Sequence, residues 1–161
     1  MNLPSTSKSL AASTGLSAAD RFAIRDLFSI YHWALDTADV ETLVDTFVED
    51  GVVELHTWRT HTRYEGRMGL MDLAESLWSW ERFPGCQHFA GQIQMHGEGD
   101  QHCRVQSFHF VAECRGRAPH ALRFAGRSDD RLVRSGSRWL FQERKISLWS
   151  GAAITPHWIS L

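Results

Sequence analysis

Cysteine is scarce in this chain, charge of a single sign is missing, and no apolar run is long enough to cross a bilayer. Each absence removes a class of function. Cys86, Cys103 and Cys114 cannot all pair within one chain, and none forms a C-x-x-C unit, which excludes a zinc knuckle or a dithiol redox motif. They read as reduced thiols of a cytoplasmic protein. Lys and Arg total 17 against 19 Asp and Glu, a formal net charge of -2. The basic residues are dispersed among acidic ones, so there is no electrostatic footprint for DNA or RNA. Residues 1–17 are rich in Ser, Thr and Ala with a single Lys8 and no signal-peptide core, and no membrane partner is expected.

Chemistry-bearing motifs are also few. Nine histidines are present, but there is no His-Glu-x-x-His or His-x-His, and no compact grouping of His with Cys or carboxylates at ligand spacing. No metal is expected. A glycine-rich phosphate loop and a dinucleotide fingerprint are lacking too, so no cofactor is implied.

What is present is patterning for one domain, the size that 161 residues allow. Residues 1–16 read as a flexible arm, 17–149 as the domain and 150–161 as a tail. That tail carries Ile154, Pro156, Trp158 and Ile159, and is expected to cover a cavity mouth or pack on a neighbouring subunit. Phe22, Ile24, Leu27, Phe28, Tyr31 and Leu35 recur at helical steps from Ala18 to Leu35, with Ser17 as N-cap and Asp20 three residues on. A second helix is predicted from about Asp39 to Phe47, ended by a Glu49-Asp50-Gly51 turn. A strand follows over Gly51 to Thr57, then a loop or short strand from Trp58 to Tyr64. A third helix over Gly66 to Trp80 has Met68, Met71, Leu73, Leu77 and Trp80 on its inner side, and Phe83-Pro84-Gly85 stops it.

Beyond Gly85 the pattern turns to long alternating segments: Gln87 to His96, His102 to Arg115, His120 to Arg134, and Arg138 to Trp149. Helices first and antiparallel strands afterwards predict an α+β domain, a curved meander wrapped around the N-terminal helices.

Asp36 closes the first helix, where the negative end of the helix dipole disfavours a carboxylate by roughly 0.3–1 kcal/mol. Pairing with His88, in Gln87-His88-Phe89-Ala90-Gly91, would offset that cost and give a general base for a carbon acid. The alternatives are that Asp36 caps the second helix, and that His88 is a solvated strand residue sharing a face with Gln92, Gln94 and His96, opposite Phe89, Ile93 and Met95. His109 has the parity of Val105, Ser107 and Val111 and points inward, as a core histidine or a site residue. Tyr31 lies on the buried stripe with a hydroxyl in need of a partner. Arg144 alternates with Gln142, Ile146 and Leu148, and is either a substrate contact or half of a salt bridge with a neighbouring strand.

Several pieces, in this order and spacing, resemble the SnoaL-like branch of the nuclear transport factor 2-like superfamily over roughly Asp20 to Trp149. They are Ile24-Arg25-Asp26-Leu27-Phe28 leading to Leu35-Asp36, Leu43 to Gly51, Gln87-His88-Phe89, Gly126 to Asp130, and Trp139 to Arg144. The resemblance implies a cone-shaped, strongly curved, mostly antiparallel sheet around a central apolar cavity. It also implies an Asp–His dyad at Asp36 and His88, of the kind found in hexachlorocyclohexane dehydrochlorinase and bile-acid dehydratase. His109 is similar in place to the second active-site histidine of scytalone dehydratase. Tyr31 and, more loosely, Arg144 match residues of the bile-acid dehydratase. The branch often has Asn where Gln92 stands and Tyr where Ser128 stands, so substrate positioning does not carry over.

The expectation is therefore a cofactor-independent lyase of the dehydratase type, or a related isomerase or cyclase, acting on a steroid, polyketide or aromatic intermediate. Asp36, His88, Tyr31 and His109 are the candidate catalytic residues. Seven tryptophans suit either core and interface or a cavity for a flat ligand. Trp33, Phe89, Trp139 and Arg144 are the candidate substrate contacts. The expected assembly is a homodimer or homotrimer. The competing class is a non-catalytic scaffold similar to the small subunit of a ring-hydroxylating dioxygenase.

Overall fold

The first helix, α1 (Ala18–Asp36), starts where its capping chemistry places it. The Ser17 hydroxyl accepts from the Asp20 backbone N–H at 3.1 Å, and the Asp20 carboxylate accepts from the Ser17 N–H at 3.0 Å. Such caps contribute about 1 kcal/mol. The computed structural model describes residues 15–56, 60–81, 83–114 and 121–149. The expected arm, apart from its last two residues, and the expected tail lie outside these.

α1 buries Ile24, Leu27, Phe28, Tyr31, Ala34 and Leu35. Phe22, expected on this stripe, is instead exposed, because two residues from Ile24 is nearly the opposite side of a helix. A short α2 (Val40–Val44) follows, and Asp39 caps it by accepting from the Thr42 N–H at 3.1 Å. That frees Asp36 from the capping role considered for it. The strand β1 (Phe47–His56) begins earlier than the pattern predicts. Glu49-Asp50-Gly51 is no turn but part of this strand, at a shift of register between Phe47 and Val52. β2 (His61–Glu65) returns antiparallel to β1, and α3 (Gly66–Trp78) follows. On α3 the buried residues are Leu70, Leu73 and Ala74, whereas Met68 is exposed.

The rest is a meander of β3 (Cys86–Glu98), β4 (His102–Glu113), β5 (Ala121–Ser135) and β6 (Arg138–Leu148). Together the strands form one six-stranded sheet in the order β2-β1-β6-β5-β4-β3, antiparallel throughout except for the parallel β1–β6 pair. The core lies between this sheet and the helices, where Phe28 and Tyr31 of α1 meet Phe47 and Phe141 edge-on or tilted. The architecture is the α+β class expected.

Two bulges decide which side chains face the core. In β3, Gln92 sits at φ 52° where the pairing with β4 shifts between Gly91 and Gln94. One extra residue reverses the alternation. His88 and Ala90 before the bulge therefore share the inner face with Ile93 and Met95 after it, while Gln92 and Gln94 face solvent. In β6 the pairing with β5 shifts between Arg131 and Leu132, opposite Gln142. Trp139 and Phe141 thereby end on the same side as Arg144, and Gln142 is exposed.

Candidate active site

The last residue of α1 and the third residue of β3 are joined by two hydrogen bonds. One Asp36 carboxylate oxygen accepts from the His88 backbone N–H at 2.8 Å, and the other lies 2.5 Å from His88 Nδ1. A carboxylate only accepts, so Nδ1 carries the proton, and the neutral ring keeps its lone pair on Nε2. Both side chains are largely shielded, at 18% and 15% exposure. The two bonds from His88 answer the unfavourable end of the helix dipole. Trp78 Nε1 donates to the Leu35 carbonyl at 2.9 Å, satisfying one of the carbonyls that the helix end leaves free.

His88 opens onto a cavity of about 250 Å³ lined by Tyr31, His32, Leu35, Leu55, His56, Leu73, Leu77, Trp80, Phe83, His88, His109, Val111, Arg123, Phe124 and Ile146. The structure thus brings Tyr31, His88 and His109 onto one wall system with Asp36 behind His88. Burial, assisted by the charge of Arg144 and by His88, holds the His109 imidazole down to about 3, so it is neutral. Its Nδ1 is buried with no partner among the described residues. Phe124 stacks on its other side, with centroids 5.3 Å apart. That stack depends on Gly126, where a Cβ would come within 2.5 Å of the Ser147 carbonyl oxygen and closer still to the Phe124 ring. Burial raises the Tyr31 phenol above its ordinary value of 10.0.

The four expected substrate contacts are corrected by their positions, for none of them lines the cavity. Trp33 is 75% exposed, on the side of α1 away from the core stripe. Phe89, the neighbour of inward His88 on an alternating strand, turns outward and stacks on Phe110 at 4.9 Å. Trp139 is buried near the start of α1, where its Nε1 donates to Asp20 at 3.1 Å. Arg144 is fully buried beneath the site. Its Nε donates to Asp130 at 3.0 Å, and its guanidinium lies 4.2 Å from the Tyr31 ring centroid. The salt-bridge alternative for Arg144 is the one realised.

Residues missed in the sequence complete the site. His32 lies parallel to His88, with centroids 6.2 Å apart, and burial keeps it well below 6.5, followed by Arg144, His88 and His109. Its signal was its place between Tyr31 and Asp36, four residues before the latter, on the same end of the helix. The cation on the cavity wall is Arg123, paired with Glu113, not Arg144. A second correction concerns histidine and carboxylate groupings. Glu54, His56 and His61 bring one ligand atom each to within 4.8 Å of one another, because β1 and β2 pair His56 directly with His61. Among the described residues no helix is long and apolar enough to cross a membrane.

Solved structures share this fold. An NTF2-like protein with a cystatin-like fold from Novosphingobium aromaticivorans superposes with TM-score 0.71 at 24% identity, covering 83% of this chain and 84% of that one. A proposed scytalone dehydratase from Novosphingobium aromaticivorans DSM 12444 superposes with TM-score 0.66 at 20% identity, covering 88% and 95%. The beta subunit of a proposed aromatic-ring-hydroxylating dioxygenase from the same strain gives 0.67 at 19%, covering 79% and 87%. At these identities the likeness is one of fold. No curated protein matches the chain in sequence. Residues 17–145, most of the chain, match the SnoaL-like domain, and the chain belongs to that family.

Proposed function

We propose that the protein is a cofactor-independent lyase that removes a proton and a leaving group from a small apolar carbonyl compound, in the manner of a dehydratase. The observation that carries this reading is the double hydrogen bond of Asp36 to His88 at the wall of a mostly apolar cavity. His88 Nε2 takes the proton from the carbon beside the carbonyl, and Asp36 steadies the imidazolium that forms. Such positioned bases contribute about 10²–10⁴ in rate. In this reading neutral His109 and the Tyr31 hydroxyl, which line the same cavity, donate to the enolate oxygen or to the departing hydroxide. A cavity of about 250 Å³ lies just under the usual span of roughly 300–1,000 Å³ for ligand sites, which favours an aromatic or polyketide intermediate over a steroid.

The test is proton exchange, which needs no turnover. Bicyclic aromatic β-hydroxy ketones are soaked with the protein in D₂O, and deuterium at the carbon beside the carbonyl is followed by NMR. Exchange is expected with the native chain and is expected to fall at least about a hundredfold in His88→Ala and in Asp36→Ala. Ketones that bind the cavity yet exchange no faster than with His88→Ala would leave the scaffold reading in its place.

A second copy is the proposed partner. Phe89, Phe110, Leu122 and Trp149 are exposed large apolar residues of β3, β4 and β5 and of the residue after β6, a concentration that a lone chain in water rarely keeps. Sedimentation equilibrium is expected to give a dimer or trimer, and Phe110→Lys to give a monomer. A monomeric native chain would contradict this.

A further inference from the structure

We propose that Glu54, His56 and His61 form a binding site for a divalent metal ion of the zinc class on the β1–β2 edge of the cavity. The site is independent of the Asp36–His88 dyad and adds to the function proposed above. It is assembled by strand register. His56 and His61 are directly paired across the two strands, and their rings stack with centroids 4.0 Å apart at 24°. Glu54, two residues before His56, aims a single carboxylate oxygen, Oε2, at both rings. It lies 3.1 Å from His56 Nε2 and 3.4 Å from His61 Nε2.

Three features make this a ligand set of the right chemistry. Two imidazoles and one carboxylate are the donor types that a catalytic zinc ion takes, with a fourth position left open. The second oxygen of Glu54 is held by Arg63 Nη1 at 2.9 Å, an outer contact of the kind that fixes a ligating carboxylate in orientation. His61 is 54% exposed and gives an ion a way in, whereas Glu54 is only 14% exposed.

The surroundings bear on strength as well as on place. Arg63, and Lys145 as the parallel partner of Glu54 on β6, set positive charge beside the carboxylate and weaken its hold on a dication. Of the three, His56 alone lines the cavity that holds His88, so the ion sits at that cavity's edge.

Calorimetric titration of the untagged full-length chain, stripped with chelator, with zinc chloride is expected to show one ion per chain. Cobalt(II) is expected to give the visible absorption of a four- or five-coordinate ion. His61→Gln and Glu54→Gln should each weaken binding at least about tenfold, with unchanged far-UV circular dichroism, while His102→Gln on the far hairpin should leave it intact. Absence of saturable zinc binding would overturn the proposal. So would zinc binding that His56→Gln and His61→Gln leave unchanged, since the ion would then be held by other histidines. His88→Ala should keep the metal and lose proton exchange, so the two readings fail separately.

Discussion

Lowering the pH from 6.5 to 4.5 is expected to remove roughly 2 kcal/mol of folding stability through His109 alone. The sign follows from where the proton binds. In the unfolded chain His109 takes up a proton below its ordinary 6.5, whereas in the folded chain burial, Arg144 and His88 hold it neutral down to about 3. Between those values the unfolded state binds more protons. The histidine's contribution is therefore full above pH 6.5, shrinks as the pH falls, and is gone near 3. His32 is depressed by the same causes and adds in the same direction. Glu54, held at about 2, costs stability only below its ordinary 4.5, outside this window. Asp130 acts oppositely, since burial raises it and the folded state then binds the extra proton. Comparing variants isolates the histidine. Guanidinium unfolding at pH 4.5 to 7.5 is expected to show a slope in the native chain that is shallower by nearly one proton in His109→Leu. Equal slopes in the two proteins would mean that His109 is not buried as a neutral ring.

How much of this was legible in the sequence depended on whether the cause was local. The inner stripe of α1 and the capping box at Ser17 depend on spacings of three and four, and both are found where the pattern places them, Phe22 excepted. Strand faces are different, because alternation carries across a strand only while no residue is added. Gln92 and Gln142 look like ordinary polar positions, yet each marks a bulge after which inside and outside exchange. That is why His88 reads as a partner of Gln94 on a wet face when it stands with Ile93 and Met95 on the core side. The dyad was legible through Asp36 and the Gln-His-Phe segment, but the neutral pair His32 and His109 was not. Their common property comes first from burial in the folded core and then from the buried charge of Arg144, thirty-five residues or more away in sequence. The Glu54, His56 and His61 grouping was missed for a similar reason: nothing in a spacing of two and then five announces that a hairpin will set the histidines face to face.

Asp130→Ala is expected to cost about 3–5 kcal/mol, the largest loss of stability from any single substitution considered. Asp130 and Arg144 are both completely buried as side chains. Arg144 Nε donates to Oδ1 at 3.0 Å, Nη2 reaches Oδ2 at 3.5 Å, and Ser128 Oγ donates to Oδ2 at 2.7 Å. Nη1 has no acceptor among the described residues, and Phe28, Tyr31 and Phe141 surround the guanidinium with ring centroids at 4.9, 4.2 and 4.4 Å. Those aromatic faces offset part of the desolvation, but they cannot replace a carboxylate. Removing Asp130 strands a cation in the core, and the melting temperature is expected to drop by on the order of 10 °C. Replacing both partners, as Asp130→Leu with Arg144→Met, leaves no charge to strand and should recover most of the loss. A single variant as stable as the native chain would show that Arg144 finds water or another acceptor. The double variant also tests the site above it. With the guanidinium gone, His109 and His32 lose the repulsion that helps keep them neutral, so the acid window described for His109 should narrow while the fold survives.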